Sequence, residues 1–203
     1  MKKILATLMS ALMIFAIAPM GVFAAGITHT VVKGDSLWKI AVKYEVGLSE
    51  IKSANPGIKN YSLIYPGDVI NIPTQNSSVL SFEAEVVRLV NEKRSQNGLK
   101  PLKSNWELSR VARYKSRDMH TRGYFSHTSP TYGSPFQMIK SFGISYKSAG
   151  ENIAKGYSSP EAVVNAWMNS SGHRANILNA SFTEIGVGYV AEGHYWTQMF
   201  ISR

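Results

Sequence analysis

A short polar stretch, Thr74-Gln-Asn-Ser-Ser78, separates two segments with unlike hydrophobic patterns. Ahead of it, β-branched runs flank two brief helical stripes. Behind it, long amphipathic helices lead to a pair of apolar strands. Neither pattern continues across the break, so the chain must bury two separate cores. With 203 residues, 44% of them hydrophobic, it has enough material for one small and one medium domain. The composition of 74–78 predicts a linker that lets the two units move relative to each other.

Residues 1–24 read as a secretory signal peptide. Lys2 and Lys3 supply a positive start, Ile4 to Ala18 is an apolar run, and Val22-Phe-Ala24 offers a small-residue cleavage site. The run is shorter than the roughly 20 residues that span a bilayer, so a secreted, extracellular or wall-associated product with no membrane segment is expected. The chain has no cysteine, which excludes disulfide staples and a thiol nucleophile. The formal charge is +9, and removing Lys2 and Lys3 from the 22 basic residues leaves 20 against 13 acidic ones. A moderately basic exported protein is drawn to anionic polymers, of which the cell wall is the nearest. There is no Arg-rich run, zinc-finger spacing or aromatic-basic ladder, so nucleic acid is not expected as a partner.

The first unit, 27–73, reads as β-α-α-β. Thr28-His-Thr-Val-Val32 alternates as a strand, and Asp35 or Ser36 can cap a helix carrying Leu37, Ile40, Ala41 and Tyr44. A second helix, Leu48 to Ala54, stops at Asn55-Pro56-Gly57, and Val69-Ile-Asn-Ile72 closes the unit as a strand. Three blocks stand in order: His29-Thr-Val-Val-Lys-Gly-Asp-Ser-Leu-Trp-Lys-Ile-Ala41, Ile51-Lys-Ser-Ala-Asn-Pro56 and Ile64-Tyr-Pro-Gly-Asp-Val-Ile-Asn-Ile-Pro73. On these blocks the unit resembles a LysM domain. The resemblance implies binding of N-acetylglucosamine glycans such as peptidoglycan or chitin in a shallow groove. The matching positions are Gly34, Asp35, Ser36 and Leu37 on one side and Asn55, Pro56 and Ile58 on the other. Polar loop ends would meet acetamido and hydroxyl groups, while Leu37 and Ile58 cover sugar faces.

The second unit, 79–203, begins with two amphipathic helices, one through Phe82, Val86, Leu89 and Val90 and one from Trp106 to Met119. The polar face of the latter, with Arg110, Arg113, Lys115 and Arg117, reads as solvated charge. A turn-rich loop holds His127, a short helix covers 136–142, and Pro160 opens a helix running to Met168. Ala149-Gly-Glu-Asn-Ile-Ala154 is brief and apolar-flanked. Ser170-Ser-Gly172 breaks the helical pattern ahead of His173. Ile185–Val190 and Tyr195–Ile201 read as two strands of a hairpin, turning through Ala191-Glu-Gly-His194.

Six blocks of this unit, His127-Thr-Ser-Pro130, Gly150-Glu-Asn-Ile153, Trp167, Gly172-His173, Ile185-Gly-Val-Gly188 and Tyr195-Trp-Thr-Gln198, run in the order of the CAP, or SCP-like, superfamily. The unit resembles its cysteine-free bacterial branch. The chain as a whole is therefore expected to be α+β: a small β-α-α-β LysM domain followed by an α-β-α sandwich with a central cleft. The resemblance implies that His127 and His173 line that cleft and can hold zinc or another divalent cation, and that Glu151 faces the bound water. The family's second Glu falls three residues after Trp167, where this chain has Ser170.

Two imidazoles and a carboxylate with an open position are the ligand set of many catalytic zinc sites. The chain has no His-Glu-x-x-His motif and no Gly-x-Ser-x-Gly elbow. A missing carboxylate is tolerable for binding and awkward for general-base chemistry. The expectation is a non-enzymatic wall protein, anchored by LysM, whose CAP cleft takes a small ligand, a lipid or a metal. The alternatives are a zinc-dependent wall hydrolase or peptidase using His127, Glu151 and His173, and a spore coat or cortex protein.

Overall fold

A computed structural model describes residues 27–203; the expected signal peptide, 1–24, lies outside them. Among the described residues no helix is long and apolar enough to cross a membrane.

The first unit is built from β1 (Ile27–Thr30), α1 (Leu37–Lys43), α2 (Leu48–Ala54) and β2 (Val69–Ile72). β1 and β2 pair antiparallel, Ile27 opposite Ile72 and Thr30 opposite Val69. Val31, Leu37, Ile40, Ile51, Ile70 and Ile72 form its core. Ser36 caps α1 by accepting from Lys39 N. Asn55 has a different task from the groove role expected of it. It is buried, donates from Nδ2 to Ile51 O (2.7 Å) and Asn71 O (2.8 Å), and accepts from Asn71 N (2.8 Å). Its amide pins the end of α2 to β2, which leaves little of it for a sugar.

The second unit contains α3 (Ser77–Gln96), β3 (Lys103–Ser104), α4 (Trp106–Arg122), α5 (Pro135–Ser141), β4 (Ser148–Lys155), α6 (Pro160–Asn169), α7 (Ser171–Ile177), β5 (Glu184–Val190) and β6 (Tyr195–Ser202). Its sheet runs β3-β5-β6-β4. β5 and β6 form the expected hairpin, β4 pairs antiparallel with β6 over its whole length, and β3 adds a short parallel edge. One face carries Val187, Trp196 and Phe200 against α3 and α6, where Trp167 is buried. The other carries Met199 and Ile201 against α4 and α5. The α-β-α layering follows from this alternation, which gives the sheet two apolar faces to cover.

α4 lies unusually close to β5, and two glycines permit it. A Cβ on Gly186 would stand 2.4 Å from Leu108 C, and one on Gly188 would stand 2.1 Å from Arg113 N. Ser109 Oγ then accepts from Val187 N, and Ser116 Oγ donates to Gly188 O (2.9 Å). Beyond the end of β3, the free N–H of Tyr189 is taken up by Glu83 of α3, which also pairs with Arg113 (2.6 Å).

The polar face of α4 is not uniformly solvated. Lys115 is fully buried, Arg113 is paired with the buried Glu83, and only Arg117 of the four basic residues is exposed. Arg110 reaches the first unit, donating from Nη2 to Ser49 Oγ (2.8 Å) and Glu50 Oε2 (2.9 Å). α3 starts at Ser77, so the last two residues of the expected linker are helical.

Candidate functional site

Glu151 stands on β4, the sheet's edge strand, with its side chain 2% exposed. Nδ1 of His127 lies 2.7 Å from its Oε1. An Nδ1–H tautomer donates there and leaves Nε2 turned away from the carboxylate. His127 itself is half-exposed. Its loop is held from two sides. Lys115 Nζ donates to Ser126 O (2.7 Å), His127 O (2.8 Å) and Tyr124 OH (3.2 Å). Asp118, one turn further along α4, accepts from Tyr124 OH (2.6 Å), Ser129 Oγ (2.7 Å) and Thr131 Oγ1 (2.6 Å). Of these two residues, Lys115 reads from the sequence as solvated charge, which its burial corrects, and Asp118 is not singled out. Their signal was available: Lys115 and Asp118 sit three apart, beside the buried Ala112 and Met119, not on the stripe of Arg110, Arg113 and Arg117.

His173 reaches the same end of the sheet on α7. The helical pattern breaks at Ser170, which ends α6 and opens α7. α7 is tied to β4 by amides: Asn152 Nδ2 donates to His173 O (3.1 Å), and Asn176 Nδ2 donates to Glu151 O (3.1 Å) and Asn152 Oδ1 (2.9 Å). Charge on His127 disfavours charge on His173.

The electrostatics follow from burial. Burial raises the Glu151 pKa above the usual carboxylate range, against the hydrogen bond from His127 and the charge of Lys115. Burial, helped by the His127 charge, lowers His173. Burial lowers Lys115, against the attraction of Glu151 and Asp118. Burial works to raise Asp118, but the three hydroxyl donors outweigh it and hold that carboxyl low. Glu151 Oε2 and Gln198 Nε2 are buried and unpaired among the described residues.

Glu151 thus backs His127 as an orienting carboxylate, the arrangement that fixes a metal-binding imidazole from behind. No group of three or more His, Cys, Asp or Glu converges as a metal cage among the described residues. Of the expected ligand set, Glu151 is taken up by His127 Nδ1, and His173 lies within reach of the His127 charge.

In the first unit, a groove of about 260 Å³ runs between the loop after β1 and the loop ahead of β2. Asp35, Ser36 and Leu37 line it, with Leu37 otherwise buried in the core and Trp38 beside them, and Lys52, Tyr61, Ser62 and Ile64 form the other wall. Asp35 is held in place by His29 Nε2 (2.8 Å) and Val32 N (3.0 Å). Gly34 supplies the turn with a positive φ of 94°, Pro56 is exposed, and Ile58 packs against the core. None of these three lines the groove. Trp38 was legible as an aromatic residue off the Leu37–Ile40–Ala41 stripe, and Tyr61 as an aromatic one in a polar loop.

The pattern of the CAP family, the cysteine-rich secretory protein family, matches residues 87–200. The chain belongs to that family. It does so without a single cysteine, so its sandwich rests on packing alone. The LysM domain pattern matches residues 29–73. An uncharacterized protein of Bacillus subtilis, YkwD, is 63% identical over 127 residues, 63% of this chain and 49% of that protein. An uncharacterized membrane protein of the same species, YlbC, is 34% identical over 170 residues, 79% of this chain and 49% of that protein. The chain therefore spans about half the length of these relatives. A solved extracellular protein containing an SCP domain, from Bacillus anthracis, superposes with a TM-score of 0.60 at 32% identity. That match covers 68% of this chain and 47% of the other.

Proposed function

We propose that this is an exported, wall-associated binding protein. Its LysM groove holds N-acetylglucosamine glycan of peptidoglycan or a chitin-like polymer, and its CAP cleft presents His127 and His173 to a second ligand. The observation that carries the reading is the open groove walled by Ser36 and Trp38 on one side and Tyr61 and Ser62 on the other. Aromatic faces beside polar loop ends suit pyranose rings, which are apolar on their faces and polar at their edges. Ser62 is exposed, so Ser62→Arg fills the groove without touching the core. It should weaken co-sedimentation with purified peptidoglycan about tenfold, and unchanged binding would refute the groove.

The CAP cleft favours binding over turnover. Glu151 is buried behind His127, and the position that would carry a second carboxylate is Ser170, whose hydroxyl caps nothing. Zinc held by His127 and His173 would supply Lewis acidity to a bound water. Residues 170 and 173 lie three apart at the start of α7, so a carboxylate placed at 170 shares the imidazole's face. Ser170→Glu should therefore tighten zinc at least about tenfold in a calorimetric titration, and His173→Ala should abolish it. Equal affinity in all three proteins would remove the two-imidazole site.

The second reading, a metal-dependent wall hydrolase, has one observation in its favour, a buried Glu151 carboxyl 2.7 Å from an imidazole, where burial raises its pKa. Release of peptidoglycan fragments by the protein with zinc, absent for His173→Ala, would establish it.

A further inference from the structure

We propose that the crevice where the two domains meet is a second sugar subsite, which takes the stretch of glycan running beyond the LysM groove. The inference rests on the reading of that groove as the glycan site.

The crevice has a volume of about 180 Å³. Its LysM wall includes Trp38, Val42 and Leu48, and its CAP wall includes Trp106, Glu107 and Phe142. Trp38 and Leu48 line both the crevice and the LysM groove, so the two hollows adjoin. Trp38 is 63% exposed. A large aromatic side chain left open at the junction of two hollows is a natural platform for a ligand that crosses from one to the other.

The walls are held in register. Arg110 closes the junction through Ser49 and Glu50, where it is half-buried and Glu50 is held below the usual carboxylate range despite its burial. A Cβ on Gly47 would stand 2.1 Å from Arg110 Nε, so the Arg110–Glu50 pair packs directly over the glycine backbone. The crevice is therefore part of the docked arrangement of the two domains.

The lining selects the occupant. Two indoles offer stacking surface beside Phe142, whose ring the Arg110 guanidinium already covers, while the exposed Glu107 carboxylate offers an acceptor at the rim. An aromatic floor with a polar edge matches a pyranose ring, and the groove's position on the other side of Trp38 and Leu48 makes the next sugars of the same strand the occupant. A lipid chain would find the rim charged.

The test uses the mature chain and chitin oligomers, with calorimetric affinities for the tetramer and the octamer. The wild type should bind the octamer at least about tenfold tighter than the tetramer. Trp106→Ala removes an indole from the CAP wall, and Val42→Arg fills the crevice from the LysM wall at a partly exposed site. Each should leave tetramer affinity unchanged and reduce the octamer advantage to the few-fold statistical gain common to all variants. An octamer advantage that survives in both variants would overturn the subsite and leave the groove standing. A wild type that binds neither oligomer would bring down the groove reading, and the subsite with it.

Discussion

Lys115→Met tests whether the buried ammonium is what holds the His127 loop. The methionine keeps the stem and removes three hydrogen bonds, those to Ser126 O, His127 O and Tyr124 OH. The two carbonyl bonds are short and donated by a charged group, so together they are worth about 3–5 kcal/mol. Relief of a buried charge and retained packing return about 1–2 kcal/mol. The net expectation is a loss of about 2–3 kcal/mol, or a fall in Tm of about 8–12 °C for a domain of this size. A pH signature separates this from a packing effect. The charge of Lys115 opposes the burial that raises Glu151, so its removal raises the Glu151 pKa further. A carboxyl whose folded pKa is raised contributes stability below its unfolded value, near 4.5, and loses it as pH rises through the folded value. The deficit of Lys115→Met should therefore be larger at pH 8 than at pH 5. Urea unfolding followed by CAP-domain tryptophan fluorescence measures it. A deficit below about 0.5 kcal/mol, or one independent of pH, would refute the assignment of Lys115 as the clamp.

Gly188→Ala should cost about 3 kcal/mol in urea unfolding, because the atoms its Cβ would strike are backbone of α4, Arg113 N and Ala112 C. A neutral result would mean that α4 can lift off the sheet. Arg94→Met should cost about 3–5 kcal/mol by the same assay, since the fully buried guanidinium donates to Lys100 O, Ile177 O and Asn179 O and has no carboxylate partner among the described residues. Zinc binding should weaken in the same variant, because the end of α7 loses its anchor. The lowered pKa of His173 means that the unfolded chain takes up its proton first as pH falls below about 6.5. Stability present above that pH is lost as pH falls through the folded value, and His173→Gln should flatten the loss. The effect should stay below about 0.5 kcal/mol once solvent screening is allowed for.

What was legible in the sequence was whatever local spacing determines. The stripe of α1, the proline start of α6, the hairpin of β5 and β6 and the break at Ser170 all follow from neighbouring residues. β4 did not stand out, because Ser-Ala-Gly-Glu-Asn-Ile-Ala-Lys has one β-branched residue and no alternation. It is a strand because β6 pairs with it from Ser148 to Lys155, a contact no local rule sees. At the site, the family blocks bring His127 and Glu151 within a hydrogen bond and place His173 at the same end of the sheet. The blocks contain one of the residues that prop them up, Asn152, and give no sign of its task. Lys115, Asp118 and Asn176 lie outside them and act through partners elsewhere in the chain.

α4 shows why the charges on one helix could not be read as one group. Arg110, Arg113 and Arg117 fall at i, i+3 and i+7, on a single stripe, yet the first binds Glu50 of the LysM domain, the second pairs with Glu83, and the third is solvated. Lys115 and Asp118 point elsewhere, toward the loop of His127. Position on a helix decides which way a side chain leaves, but the surroundings of the helix decide whether it meets water. The sequence did contain the sign that α4 would be enclosed: two glycines at alternate positions of an otherwise apolar strand, Ile185-Gly-Val-Gly188, whose missing Cβ atoms make room for a helix backbone. A helix drawn that close to a sheet carries its flanking residues inward with it. A lysine beside that contact line is then buried and must find acceptors, and the acceptors within its reach are the carbonyls of Ser126 and His127. The packing that holds the sandwich together without disulfides is thus the same packing that fixes the His127 loop.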